Sequence, residues 1–439
     1  MLNRKWFLTP LVLLCCGVAN AQQVKFTEYD LPNGLHVILS PDSKAPVVTV
    51  SVMYHVGSKN EDTARTGFAH FFEHLLFEGT DNIKRGEFMK IVSSNGGQNN
   101  ANTTQDRTFY YENFPSNNLE LGLWLESERM MHPVINEIGV KTQNEVVKEE
   151  KRLRIDNSPY GRFIEAIFKD LFTEHPYHWV TIGSMAHLDA AKLDEFKAFN
   201  KKYYVPNNAV LVIAGDINIE KTKKLVSDYF APIPKGTATI VRPHVEEKPI
   251  TKQMVDTAYD PNIQIPLIVA AYRTPGENTH DARVLDMVNS VLSKGSSSRL
   301  YKKMVDQKKN ALQVLAFNYS LEDYGAYLIG ALPNNGTPLN DILKDIDEEI
   351  VKLQTDLISE EDYQKMINQF ENDFVSENIH MQGVADNLAS AYTFYHNTNF
   401  VNEELASYKK ITREEIREAA KKYLNPSQRL VLYYLPVKK

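Results

Sequence analysis

The sequence predicts a layered α/β protein, in the α+β arrangement, built from two similar halves. Strand patterns alternate with pairs of helical patterns along the chain. Two blocks of similar composition, Tyr203-Tyr204-Val205-Pro206-Asn207 and Lys422-Tyr423-Leu424-Asn425-Pro426, each lead into an apolar strand pattern. Between the halves lies a stretch punctuated by Pro232, Pro234, Gly236, Pro243 and Pro249. At 439 residues the chain also exceeds one ordinary core. These features predict a domain over residues 22–235, a linker over 236–249 and a second domain over 250–439.

The elements follow in order. Residues 24–29 and 35–39 flank Pro32-Asn33-Gly34, a hairpin signal, and 47–54 alternates like a further strand. Residues 88–94 read as a helix ended by Gly96-Gly97, and 108–113 as a strand. Helical patterns cover 119–131 and 145–155; a strand pattern returns at 209–214, closed by Gly215-Asp216. In the second half, 266–272 occupies the place of 47–54, and 430–435 that of 209–214.

The first 21 residues are unlike the rest. Arg4 and Lys5 precede an apolar run over 6–17, and Ala19-Asn20-Ala21 supplies a small-x-small cleavage site before Gln22. This predicts a secretory signal peptide and a periplasmic or secreted protein. A lipoprotein signal acylated at Cys15 or Cys16 is the competing reading, but Val12-Leu13-Leu14 lacks the small residues expected there. Both cysteines of the chain fall in this leader, so the mature form has no disulfide and no thiol chemistry. Its 47 basic and 56 acidic residues give a net charge of −9. No basic stripe points to nucleic acid, and no later segment has the length and apolarity of a membrane span.

The string His70-Phe71-Phe72-Glu73-His74 carries the chemistry. On a helix, histidines at i and i+4 stand on one face, close enough to share a metal ion. Glu73 lies beside them, where it can take a proton from a metal-activated water without being a ligand. The order is that of the inverted zinc motif, His-x-x-Glu-His. A bland alternative is a pair of half-buried surface histidines. The apolar flanks Gly67-Phe68-Ala69 and Leu75-Leu76-Phe77, with the closing Gly79, instead describe a short helix suited to the floor of a cleft.

Together with Gly96 to Tyr111, Gln143 to Glu150, His175 to Gly183 and Tyr203 to Asp216, this string resembles the pitrilysin-type M16 zinc peptidases, in particular their bacterial M16B-like members. The resemblance runs from about Phe26 to Pro436. It implies two homologous domains, each a mainly antiparallel sheet packed with helices, together forming half of a clamshell. It implies one zinc ion per chain, with Glu150, 76 residues beyond His74, as third ligand after His70 and His74. Glu149 is the rival, but neighbouring helical residues point about 100° apart, so only one of the two can face the metal. Asn100 and Ala101 resemble the family's edge strand, which binds substrate backbone as an added strand. His175 and His178 resemble a family loop packed near the cleft rather than a second metal pair. Gln143 stands where many members carry a second glutamate.

The implied activity is zinc-dependent endoproteolysis of peptides or unfolded chains, with Glu73 as general base. The alternative is a homologue serving as an assembly or binding subunit, though such relatives usually lose the motif. Active members also carry, in the second half, an arginine followed seven residues later by a tyrosine. Counting from Ser297-Ser298-Arg299-Leu300-Tyr301, the arginine place falls within Lys303 to Asp306, at Val305 by the direct count, and the tyrosine place at Leu312, with Lys302 or Lys303 as substitutes if the register slips. The resemblance therefore implies a heterodimer in which a second M16 subunit supplies the pair, with a homodimer as the alternative.

Overall fold

The computed structural model describes residues 23–242 and 245–437. The leader expected at 1–21 lies outside the described residues. Two sheets form the frame. The first contains β1 (Thr27–Asp30), β2 (His36–Pro41), β3 (Val47–Tyr54), β4 (Gln98–Thr103), β5 (Thr108–Pro115) and β6 (Ala209–Gly215), in the order β1-β2-β6-β3-β5-β4. The second contains β7 (Met254–Asp260), β8 (Leu267–Pro275), β9 (Ala311–Ser320), β10 (Tyr324–Pro333) and β11 (Leu430–Pro436), in the order β7-β11-β8-β10-β9. Without β1 the two orders are the same. The parallel pair falls in the same place, β2 with β6 and β7 with β11, and every other neighbour is antiparallel.

Each half thus inserts its closing strand in the same place, β6 between β2 and β3 and β11 between β7 and β8, which is the topology of an internal duplication. The expected hairpin is the β1–β2 pair, in which Thr27 to Asp30 oppose Leu39 to His36. The helix expected over 145–155 is longer at its start, running Glu137–Lys151 and continuing as a π-turn, Arg152–Asp156. Its start is set by Asn136, whose side chain accepts from the Gly139 amide at 2.9 Å. That cap lies outside the apolar periodicity, which is why the periodicity alone places the start too late.

The halves are interlocked by exchanged helices. Helix Phe163–Leu171, from the first half, lays Ile167, Phe168 and Leu171 on Leu267, Val269, Leu328 and Leu432 of the second sheet. Helix Met381–Tyr395, from the second, lays Val384, Ala385, Leu388 and Ala389 on Ile38, Met53, Val210 and Val212 of the first. Each sheet's opposite face is packed by helices of its own half. Central strands therefore have no wet face: β6 is buried along its whole length and β3 at all but its first residue. This explains why β6 reads as a continuous apolar run rather than an alternation.

Candidate metal centre at the open edge of the first sheet

The His70–His74 helix, Phe68–Leu75, packs one face into the first core and turns His70, Glu73 and His74 toward Glu150 and Thr103. Phe71, Phe72 and Leu75 are buried, and Phe72 meets Phe199 and Tyr204. Two tyrosines bolt it down: the Tyr110 hydroxyl donates to the Phe72 carbonyl at 2.8 Å and that of Tyr204 to the Ala69 carbonyl at 3.3 Å. Its first turn is capped from a distance. Glu61 accepts the Gly67 and Ala69 amides, each at 2.8 Å, satisfying donors that every helix start leaves free. Gly67, at φ +99°, sits against Gly183, where an added Cβ would lie 2.3 Å from the Gly67 nitrogen. That close approach accounts for the glycine at 183.

The spacing of the histidines then does what the sequence predicts. His70, His74 and Glu150 each offer a ligand atom, and these atoms all lie within 4.8 Å of one another. Glu150 Oε2 is 3.5 Å from His70 Nε2 and 3.0 Å from His74 Nε2. Ligands held tetrahedrally about zinc stand about 3.4 Å apart, so this donor set fits that ion. Burial, then the neighbouring His74, pushes the His70 imidazole down to about 4, leaving it neutral with a lone pair to give. The His74 imidazole, 3.0 Å away, is the main influence holding the Glu150 carboxyl below its ordinary value, so it is ionised. Glu149 points away: its side chain is 55% exposed and pairs with Arg152.

Glu73 lies on the same face but takes no place in the triad. Its carboxylate accepts from the Thr103 hydroxyl at 2.6 Å. Burial raises its pKa, and the Thr103 hydrogen bond works against that rise. Thr103 ends β4, the outermost strand of the first sheet, which among the described residues pairs with β5 alone. Asn100 on this strand is exposed, whereas Ala101 is buried against the core.

The remaining sequence candidates are structural. Tyr177 is buried and donates to Asp106 at 2.7 Å, while His175 meets Asp323 at 3.2 Å and His178 the Phe172 carbonyl at 2.8 Å. Gln143 donates to Glu78 at 2.5 Å, and Glu78 also pairs with Arg85, so a carboxylate is present beside the amide. Lys303 is excluded as a stand-in for the arginine: it is buried and tied to Glu348 and Glu349 at 2.8 and 3.4 Å. Val305 packs against the second core, and Leu312 is 49% exposed. Sequence reasoning placed Thr103 on the edge strand with Asn100 and Ala101 but missed its bond to Glu73, and it missed Glu61. Neither has a local signature, since Thr103 reaches Glu73 across 30 residues of chain and Glu61 caps a helix from six residues ahead of Gly67.

Fold and site together define a layered α+β protein of two similar halves with a candidate metal site in one of them. The family comparisons name it. The model for "Insulinase (Peptidase family M16)" matches residues 36–183 and that for "Peptidase M16 inactive domain" matches 190–370. The chain belongs to the M16 peptidase family. It is 29% identical over 435 residues to Zinc protease PqqE of Helicobacter pylori, covering 98% of each chain. An uncharacterized zinc protease of Bacillus subtilis, YmxG, is 26% identical over 75% of this chain and 79% of its own. The crystal structure of a protease from Helicobacter pylori superposes with a TM-score of 0.89 at 29% identity, over 94% of this chain and 99% of that one. The periplasmic protease PqqL of Escherichia coli shares the fold at 18% identity and TM-score 0.77, with this chain spanning 48% of its length.

Proposed function

We propose that the chain is an exported zinc metalloendopeptidase that cuts peptides or unfolded polypeptides. The convergence of His70, His74 and Glu150, with Glu73 beside them at an open sheet edge, carries the reading. His70, His74 and Glu150 would hold the metal. Zinc bound there would supply Lewis acidity to a water and to the scissile carbonyl. Glu73 takes the proton of the attacking water and returns it to the leaving amine nitrogen. The free edge of β4, at Asn100 and Ala101, receives the substrate backbone as an added strand, which binds with little demand on side chains. That the relatives are named zinc proteases supports the same chemistry.

The second half shapes the active unit. With Val305 packed against the second core, Leu312 at the tyrosine place and Lys303 committed to its ion pairs, this chain has no arginine and tyrosine at those places. A second family member, lacking the metal motif, supplies them in a heterodimer. The signal-peptide pattern over residues 1–21 supports export, with Gln22 as the first residue of the mature protein.

One experiment tests the reading: metal analysis of the purified chain, then cleavage of an unfolded protein with and without a companion subunit and a chelator. One zinc per chain, chelator-sensitive cleavage and its loss in Glu73→Gln with zinc retained are expected. A well-folded chain that binds no zinc, or a Glu73→Gln variant cutting at the wild-type rate, refutes the enzyme; full activity of the single chain, unaffected by any companion, refutes the heterodimer.

A further inference from the structure

Glu73 ends a flexible side chain, yet a general base is useful only where its oxygen meets the proton it takes. Its carboxylate makes one hydrogen bond among the described residues, to Thr103 Oγ1 at 2.6 Å, within the range of a hydroxyl donating to an ionised carboxylate. That bond engages Oε2 and leaves Oε1 to accept.

The partner is itself immobilised. Thr103 stands at the mouth of the β4–β5 turn, opposite Thr108. The first half holds this turn through Ser58 and Lys59, whose amides donate to the Thr104 and Gln105 carbonyls at 3.2 and 2.9 Å. Asp106 at its tip is 3% exposed, forms an ion pair with Lys59 Nζ at 2.9 Å and accepts from Tyr177 Oη at 2.7 Å. The second half grips the same residue, the Glu322 amide donating to Asp106 at 3.0 Å, and Asp386 reaches Arg107 at 3.4 Å. A turn pinned from both halves cannot follow a wandering carboxylate; the carboxylate must come to it.

We infer that Thr103 is a positioning residue for Glu73: its hydroxyl, on a turn clamped between the two halves, fixes one carboxylate oxygen so that the other faces the attacking water. The inference rests on the peptidase reading above. It assigns Thr103 no contact with metal or substrate.

The test compares Thr103→Val, which keeps the shape and removes the donor, with Thr103→Ser, which keeps the donor. Each variant and the wild type are measured for bound zinc, thermal midpoint, crystal structure, and kcat and KM on an internally quenched peptide under conditions where the wild type cleaves it. Thr103→Val is expected to keep its zinc and its midpoint, to lose about 10- to 100-fold in kcat with KM changed less than about threefold, and to show the Glu73 carboxylate displaced while His70, His74 and Glu150 stay in place. Thr103→Ser is expected to restore both rate and carboxylate position. Wild-type kcat in the valine variant, an unmoved Glu73, a loss that tracks lost zinc, or equal losses in both variants would overturn the inference. Glu73→Gln is run alongside. If it is active the peptidase reading itself falls, whereas an inactive Glu73→Gln beside a fully active Thr103→Val removes only the role of Thr103.

Discussion

Glu149 and Glu150 are chemically identical neighbours with opposite surroundings. Glu150 is turned toward His70 and His74, with a side chain 15% exposed, and Glu149 is turned to solvent beside Arg152. An exposed ion pair of that kind contributes little, whereas removing Glu150 would leave two donors of the three gathered among the described residues. Glu150→Gln is therefore expected to weaken zinc binding by more than about 100-fold and Glu149→Gln by less than about threefold, read by competition with a fluorescent chelator. Equal losses would reverse the assignment. At this scale the sequence already said much: the helical period put both histidines on one face, and the rotation between adjacent residues meant that one glutamate had to be chosen. Thr103 was illegible because the contact that gives it meaning is tertiary.

At the scale of the element, the Phe68–Leu75 helix is short and begins at a glycine without a capping side chain of its own. Isolated, eight residues of helix would not persist; packing and a remote cap hold it. Burial pushes the Glu61 carboxyl up to about 8, against the pull of the Ala69 and Gly67 amides and the Trp179 indole. Glu61→Ala leaves those amides buried without acceptors and should cost roughly 1–3 kcal/mol. The expected result is a lower urea midpoint with an unchanged slope. A midpoint equal to wild type would show that water or another group replaces the carboxylate. Strand limits in the first sheet were readable from apolar runs and turn residues, as with β3 and β6. The start of the Glu137–Lys151 helix was not, because Asn136 sets it from outside the periodic stretch.

At the scale of the molecule, the two halves meet through the exchanged helices and a buried polar cluster. Lys59, whose side chain is 1% exposed, reaches Asp106, Glu322 and Asp323, and His55 meets Glu322 at 2.8 Å. Burial alone would raise the Glu322 carboxyl; the hydrogen bond and charge of His55 and the Lys59 ammonium override it and hold the group at about 2. Because this lies below its ordinary value of 4.5, the ionised form belongs to the folded state. The resulting stability is present above about pH 4.5 and is lost as pH falls toward about 2. Wild type should therefore lose stability steeply across that window in urea titrations, and Glu322→Gln should start less stable at pH 7 and show a shallower loss. A variant with the wild-type slope would place the acid sensitivity elsewhere.

The sequence by itself determined the local and periodic features: a layered architecture of two similar halves, the helix bearing His70, Glu73 and His74, and a metal motif in one half only. These are written in spacings of two to four residues and in a repeated block, which short stretches of chain carry unaided. Tertiary structure decided the rest. It brought Glu150 to within 3.0 Å of His74, took away Lys303 as a substitute cation, tied Glu73 to Thr103, and covered each sheet with a helix from the other half. The reason is physical. An amphipathic helix records in its own residues that it has a face to bury, but not which sheet will bury it, and a carboxylate or hydroxyl records only that it can accept or donate. Partner and distance are fixed when the chain closes on itself.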